Sequence, residues 1–546
     1  MRRNRADKTH VGRKKGNGIP GERTLERKNM KKVKWLENSI IYNAYPQSFY
    51  DSNGDGIGDL KGIEQKLDYI KELGCNIVWL NPIFKSPFRD AGYDVIDFYE
   101  VAPRYGGNGD LRSLCRAARE RDMHIVLDLV AGHTALECAW FQKSAEYDRN
   151  EYSNRYIWTN EVGDLGDGTF INGYSDRDGA FMKNYYYCQP ALNYGFAKPD
   201  KEWQLPVDHP DCVKTQEALL DIMDFWSGYG VDGFRVDMAF SLVKNDENGE
   251  ANIKLWQKLS KKFKEKHPES VLISEWSYPE RAIKAGFDID FLIHFNLKAF
   301  TTLFRYEKGK NDRNDWIGHS YFRKEGKGDF SLFSDEFTDQ LAKTKDSGYM
   351  SVPSGTHDLS RAAWERDEDE LKVIQAFLMT LPGIPLIYYG DEIGMRYIDG
   401  LRSVEGAYKR TGSRTPMQWN NEKNHGFSKA DKIYIPTDES EDAPTVSSQE
   451  NDPDSLLNHM KKMISLRKSH KALEEDGEFR VISAGYPAIY ERSFGGEVIR
   501  VIINPSEREY TLDGIGAATV LAARNTKENA ENVVIGGCGY LIYRKL

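Results

Sequence analysis

Val231-Asp232-Gly233-Phe234-Arg235-Val236-Asp237-Met238 is a short apolar run that closes on a charged pair. On a strand, residues two apart share a face, so Arg235 and Asp237 project together. A fixed guanidinium beside a carboxylate at the end of a buried strand keeps that carboxylate ionised. A structural ion pair capping a barrel strand is the plain alternative, and the rest of the chain decides between the two.

Outward from this stretch the chain alternates strand and helix. Ser39–Tyr45, Asn76–Leu80 and His124–Val130 read as strands on its N-terminal side. Val271–Trp276, Phe291–Phe295, Tyr349–Pro353 and Ile384–Tyr389 follow on its C-terminal side. Helical stretches lie between them, at 60–73, 110–121, 214–228 and 370–380 among others, with a last one over 453–471. Continuous apolar strands in βα alternation mark a buried parallel sheet, and eight of them make a (β/α)8 TIM barrel. The rhythm breaks over 134–211, which is aromatic, rich in Gly, Asn and Asp, and weakly periodic, and is read as an inserted domain after strand three. From 475 to 546 the chain is strand-rich with Gly and Asn turns, and is read as a C-terminal antiparallel β domain. The barrel then takes 34–133 and 212–474.

With 546 residues, two or three domains are expected. A net charge of -9 argues against a nucleic-acid partner. No apolar run reaches membrane-spanning length, and none follows the basic start as a signal peptide requires. The six scattered cysteines read as reduced thiols, which points to a cytoplasmic protein. Up to Lys34 the chain carries thirteen Lys and Arg against three Asp and Glu. Residues 1–33 are therefore expected to form a disordered basic tail, with Met30-Lys31-Lys32 as an alternative start.

Active sites of such barrels lie at the C-terminal ends of the strands. Strand three ends at Asp128, followed by Gly132-His133. Strand four ends at Arg235 and Asp237, strand five at Glu275, and strand seven at His357-Asp358. Three or more carboxylates converging on one mouth repel one another, so a structural origin for the whole set is costly. Two carboxylates facing one bond is the arrangement for glycoside hydrolysis. Asp237, next to Arg235, suits the ionised attacking group. Glu275, beside Trp276 on an apolar strand, has surroundings that raise a carboxyl pKa and suits the proton donor.

These segments resemble the four short motifs of the α-amylase superfamily, glycoside hydrolase family 13, in order, spacing and strand position. The resemblance runs from about Lys34 to the C-terminus. It implies a retaining mechanism with Asp237 as nucleophile, Glu275 as general acid/base, and Asp358 as the third carboxylate, which holds the hydroxyls of the reacting sugar. It implies that Arg235, His133 and His357 bind that sugar and that Asp128 supports the site. Gly132 stands where the family usually has Asn and Thr356 where it often has Asn; the first change removes a usual calcium ligand of α-amylases.

Gly92-Tyr93-Asp94 and Ser413-Arg414-Thr415-Pro416-Met417-Gln418-Trp419 resemble the α-glucosidase side of the family, oligo-1,6-glucosidases and trehalose synthases included. There the equivalents of Asp94 and Arg414 pair to close the pocket behind a terminal glucose, and Tyr93 is placed to stack on the sugar. Gln189-Pro190-Ala191-Leu192-Asn193 resembles a further motif of that branch, with Ala191 where an acid is usual. Met238, after the nucleophile, matches neither the Val that accompanies α-1,6 preference nor the Ala or Thr that accompanies α-1,4.

Asp51-Ser-Asn53-Gly-Asp55-Gly-Ile57-Gly-Asp59 alternates oxygen donors with glycine turns. Hard oxygen ligands at this density suit Ca2+, and Mg2+ less well. The stretch resembles the calcium loop after strand one in the same branch, with Asp51, Asn53, Asp55 and Asp59 as side-chain ligands and Ile57 as a carbonyl ligand. The expected protein is a retaining exo-α-glucosidase acting on short α-gluco-oligosaccharides. A transglucosylase or isomerase resembling trehalose synthase is the alternative. A non-catalytic relative, such as an amino-acid-transporter heavy chain, would carry a membrane helix and lack the acids.

Overall fold

The computed structural model describes residues 32–161, 163, 168–304, 319–528 and 531–546. Most of the expected basic tail, up to residue 31, lies outside them. Lys32 and Val33, counted with that tail, are ordered: Val33 and Leu36 pack under the barrel floor with Ile41, Ile77 and Val271.

Eight parallel strands form the central sheet: β1 Ile41–Ala44, β2 Ile77–Leu80, β3 His124–Leu129, β4 Gly233–Val236, β5 Val271–Ser274, β6 Ile289–Phe291, β7 Tyr349–Ser351 and β8 Leu386–Tyr388. They pair in chain order from β1 to β7, and β1 also pairs with β8. The Ile384 amide donates to the Met350 carbonyl at 3.0 Å and the Ser354 amide to the Leu386 carbonyl at 3.0 Å, so β7 and β8 close the ring. This is the (β/α)8 barrel expected from the alternating apolar runs. Inward-pointing residues alternate along the strands, and Trp79, Val126, Ile273, Ile289 and Phe291 fill the interior. Gly233 is required where β4 approaches β5, because a Cβ there would lie 2.4 Å from the Val271 carbonyl oxygen.

The sixth strand lies at Ile289–Phe291 and not at Phe291–Phe295. Two acids, Asp288 and Asp290, make the stretch resemble a loop in sequence. Both are buried and satisfied. Asp288 accepts from the Leu272 amide at 2.8 Å and pairs with Lys264. Asp290 accepts from the turn that follows β5. Helices also start slightly earlier than periodicity suggests: Pro210–Ser227 begins on a Pro, and Glu368–Thr380 begins on an Asp367 capping box.

Between β3 and β4 the described residues include a small antiparallel sheet of Trp158–Thr159, Phe170–Asn172 and Ala180–Met182. From Glu478 onward six strands form an antiparallel sheet. Arg492 of this sheet is fully buried and donates to the carbonyls of Thr380, Leu473, Glu474 and Gly477, which ties it to the barrel. No helix among the described residues is long and apolar enough to cross a membrane.

Candidate active site

Arg235 is the hub of the barrel mouth. It sits on β4 beside Asp128 of β3, its register partner. Asp237 and Glu275 each fall just past the end of a strand ladder, where the chain turns out of the sheet. The Arg235 Nη1 lies 2.8 and 3.1 Å from the Asp128 oxygens and 3.1 Å from Asp237 Oδ1. Its Nη2 lies 2.8 Å from Glu275 Oε2. The guanidinium, over the Trp79 ring, is 2% exposed, so one desolvated cation serves three carboxylates. Met238 adopts a left-handed conformation (φ 43°), which aims its N–H at Glu275 Oε2 at 2.9 Å. Positive φ is costly for a bulky side chain and is held here by the surroundings.

Burial holds the Asp237 carboxyl well above the usual carboxylate range, the neighbouring Glu275 raises it further, and Arg235 opposes both. Both carboxyls lie on the one Arg235 guanidinium, so their charges are felt by each other and they titrate as a pair. Asp128 is pushed up to about 6 by burial against the pull of Arg235, which leaves it ionised at neutral pH.

Across the mouth, His357 and Asp358 follow β7. The Asn81 amide donates to His357 Nδ1 at 3.1 Å, which leaves Nε2–H to donate to the Tyr93 hydroxyl at 2.8 Å. The Tyr93 hydroxyl in turn donates to Asp128 at 3.0 Å. Burial lowers the His357 pKa well below its ordinary value, so the ring is neutral. The Tyr93 ring packs parallel to that of His357, with centroids 5.4 Å apart. His133 donates from Nε2 to the Tyr93 carbonyl at 3.0 Å and accepts at Nδ1 from Asn184 at 3.0 Å. Its pKa falls to about 4 through burial. The Asn184 carbonyl accepts from Lys244 Nζ at 3.1 Å. A Cβ on Gly132 would sit 3.0 Å from the Asn184 amide nitrogen. Asn184 thus occupies the space beside Gly132, and the positive charge of the Lys244 ammonium bonded to it disfavours a cation there.

A cavity of about 160 Å³ opens at this mouth. Tyr93, His133, Asp237, Glu275, His357 and Asp358 line its polar part; Met238, Phe240, Phe295 and Tyr185 line the remainder with His294. Two further charged residues on its wall are Asp90 and Arg410, 3.6 Å apart. Arg410 also pairs with Asp358, and the Gln189 amide donates to Asp90 at 2.7 Å.

Asp94 and Arg414, expected to meet as the closing pair, have other partners in the structure. Asp94 is fully buried and does not face the cavity. Its oxygens accept from Ser86 Oγ at 2.9 Å and from the amides of Arg89 at 2.9 Å and Asp90 at 3.2 Å. A tight loop that turns at Gly92 (φ 101°) needs an internal acceptor, and Asp94 supplies it. Arg414 lies beneath the His357-Asp358 turn, donating to the His357 carbonyl at 2.8 Å and to Asp358 at 3.2 Å. Sequence reasoning passed over Asp90 and Arg410, each four residues before the residue chosen, and also Asn81. A polar amide directly after an apolar barrel strand was the available signal for Asn81; nothing local separates Asp90 from Asp94.

The loop of Asp51, Asn53, Asp55, Ile57 and Asp59 folds back on itself. Asp51 accepts from the amides of Asn53, Gly54 and Gly56 and from Ser428 Oγ. Asp59 accepts from Ser52 and caps the following helix at the Gly62 amide. Asn53 and Asp55 accept from the amides of Asp55 and Ile57. The donor set is all oxygen, which fits Ca2+. Among the described residues, no group of three or more His, Cys, Asp or Glu side chains gathers at metal-binding spacing. A bound ion would therefore replace some of these internal hydrogen bonds.

The sequence profile of the alpha-amylase family, described as the alpha amylase catalytic domain, matches residues 43–476. Trehalose synthase/amylase of Mycolicibacterium smegmatis is 31% identical over 494 residues, spanning 83% of this chain and 79% of that protein. Oligo-1,6-glucosidase of Parageobacillus thermoglucosidasius is 29% identical over 540 residues, spanning 87% of this chain and 91% of that protein. Among solved structures, trehalose-6-phosphate hydrolase of Bacillus licheniformis superposes with a TM-score of 0.77 at 24% identity, covering 93% of this chain and 99% of that one.

Proposed function

This chain belongs to the alpha-amylase family of glycoside hydrolases, and we propose that within it the protein is a retaining, exo-acting α-glucoside hydrolase that releases glucose from short α-gluco-oligosaccharides. The observation that carries this reading is the single guanidinium of Arg235 bridging Asp237 and Glu275. Two carboxylates on adjacent nitrogens of one guanidinium lie close together, as a retaining mechanism requires; an inverting pair needs room for a water between them.

In the productive complex Glu275 carries the proton and points it at the glycosidic oxygen, while Asp237 is ionised. The Asp237 carboxylate attacks C1 while Glu275 protonates that oxygen. The C1–O bond breaks, the leaving sugar departs with the proton, and a glucosyl ester forms on Asp237. Glu275 then takes a proton from water, whose oxygen attacks C1 and frees Asp237 as a carboxylate. Asp358, fixed by Arg410 and Arg414, holds the sugar hydroxyls. His133 and the neutral His357 add fixed polar groups that need little reorganisation. The Asp90–Arg410 pair on the cavity wall limits the sugar to a chain terminus, which supports exo action.

Similarity to a trehalose synthase/amylase favours a second reading, in which a sugar and not water takes the glucosyl group. The carboxylates are the same in both. The test is product analysis after separate incubation with maltose, isomaltose, sucrose, trehalose and starch. Glucose alone from one disaccharide, with starch hardly touched, supports the hydrolase; new disaccharides or longer products refute it in favour of the transglucosylase or isomerase.

We further propose that the Asp51–Asp59 loop binds Ca2+ through the side chains of Asp51, Asn53, Asp55 and Asp59 and the Ile57 carbonyl. The ion would stiffen the loop between β1 and its helix and takes no part in the reaction. All six cysteines are unpaired and buried, which supports a reducing, cytoplasmic setting.

A further inference from the structure

Glu275 must point its carboxyl with accuracy, yet it sits on a turn that has left the sheet. On one side it is tied to β4: its amide donates to the Val236 carbonyl at 3.0 Å. On the other side the turn is wrapped around a second carboxylate, that of Asp290 on β6. Asp290 Oδ1 accepts from Ser274 Oγ at 2.6 Å and from the Trp276 amide at 3.1 Å. Its Oδ2 accepts from the Tyr278 amide at 2.8 Å, and the Ser277 amide adds a further bond. Ser277 takes a left-handed conformation (φ 52°), which lets three successive N–H groups converge on one anion. Asp290 is fully buried, and burial pushes its pKa up to about 7 against these donors. The mechanism leaves this acid without a role.

We propose that Asp290 is a positioning residue for the acid/base step: its carboxylate, gripped by Ser274 and the amides of residues 276–278, sets the direction in which Glu275 presents its proton. The grip falls on both sides of Glu275 in the chain. Without an anion at its centre, three N–H donors face one another, the left-handed Ser277 loses its support, and the turn relaxes. The error is transmitted to Glu275 and not to Asp237, which lies outside this turn and whose amide is held by the Leu129 carbonyl of β3 at 3.0 Å.

The inference rests on Glu275 being the acid/base, and the experiment separates the two. Asp290→Asn keeps the shape but replaces one acceptor oxygen with a donor. It is compared with wild type and Glu275→Gln on two substrates: the disaccharide that wild type cleaves fastest, and α-glucosyl fluoride with azide present. Fluoride leaves with little acid help. Azide attacks C1 of the glucosyl ester without a base, forming α-glucosyl azide and freeing Asp237. Asp290→Asn is expected to lose about 100-fold in kcat/KM on the disaccharide, the low end of a general-acid contribution, and less than about 10-fold on the fluoride. Equal losses on both substrates, or no loss on either, would overturn the inference. Should Asp290→Asn fail to fold, Ser274→Ala decides: a split of about five-fold in the same direction is expected, and parity overturns it. If Glu275→Gln itself shows no split, the acid/base assignment fails first.

Discussion

Replacing Arg235 by Met removes one cation and strands three carboxylates. Asp128, Asp237 and Glu275 all bond to that guanidinium within 3.1 Å in a site almost closed to water. Breaking a buried ion pair by removing one partner costs about 3–5 kcal/mol. At 1.36 kcal/mol per pKa unit, that raises the carboxyl pKa values by roughly 2–4 units, shared over the cluster. Asp237 is already held high by burial and by Glu275, and Arg235 is the main group opposing them. The nucleophile would then stay protonated at neutral pH. In the pH profile of kcat/KM on an aryl α-glucoside, the acid limb should move up by two units or more, and the value at pH 7 should fall about 100-fold or further. Arg235→Lys, which keeps a charge but cannot reach all three carboxylates, should fall between. Stability should change with the same sign. A carboxyl whose folded pKa lies above its unfolded value stabilises fully below the unfolded pKa and loses that contribution as pH rises through the folded one. For Asp128 in the native protein this window runs from about 3.8 to about 6; in the variant it should extend upward, so Tm should drop more steeply than wild type between pH 5 and 8. A uniform loss of activity with the acid limb unmoved would refute the reasoning, because Arg235 would then act through packing alone.

Asp237→Asn should abolish turnover on every glucoside, by about 10⁴-fold or more, while Tm stays within a few degrees of wild type; an active variant would remove Asp237 as nucleophile. Arg410→Ala or Asp90→Ala should loosen exo selectivity and release maltose from maltotetraose, whereas Asp94→Asn should chiefly lower Tm; an unchanged product pattern in the first two would show that they do not close the cavity. Chelation with EDTA should lower Tm by several degrees, with recovery on adding Ca2+ in preference to Mg2+; a Tm indifferent to both would leave the Asp51–Asp59 loop held by its own hydrogen bonds.

The barrel was legible because its strands are buried on both faces, which writes them as unbroken apolar runs such as Ile40–Tyr42 and Val78–Leu80. The sixth strand was misplaced because two acids interrupt its apolar pattern. Those acids are tolerated because partners distant in sequence satisfy them: Lys264 for Asp288, and Ser274 with the residue 276–278 amides for Asp290. The polar residues at the ends of β3, β4, β5 and β7 were legible as a set, since a parallel barrel brings equivalent strand ends to one mouth.

The sequence by itself determined the barrel, the meeting of Asp128, Arg235, Asp237 and Glu275, and the chemistry those groups can perform together. Strand periodicity and barrel closure are local rules repeated along the chain, and they fix which end of each strand faces the mouth. Only the tertiary structure decided which loop carboxylate faces the cavity. Asp90 and Asp94 flank the same turn and carry the same charge; Ser86 and two backbone amides claim one, while Gln189 and Arg410 claim the other. The structure likewise placed Arg410 in the cavity and Arg414 beneath it, and put Asn184, bonded to Lys244, beside Gly132. These choices depend on hydrogen-bond partners up to several hundred residues away, and no short-range pattern encodes them.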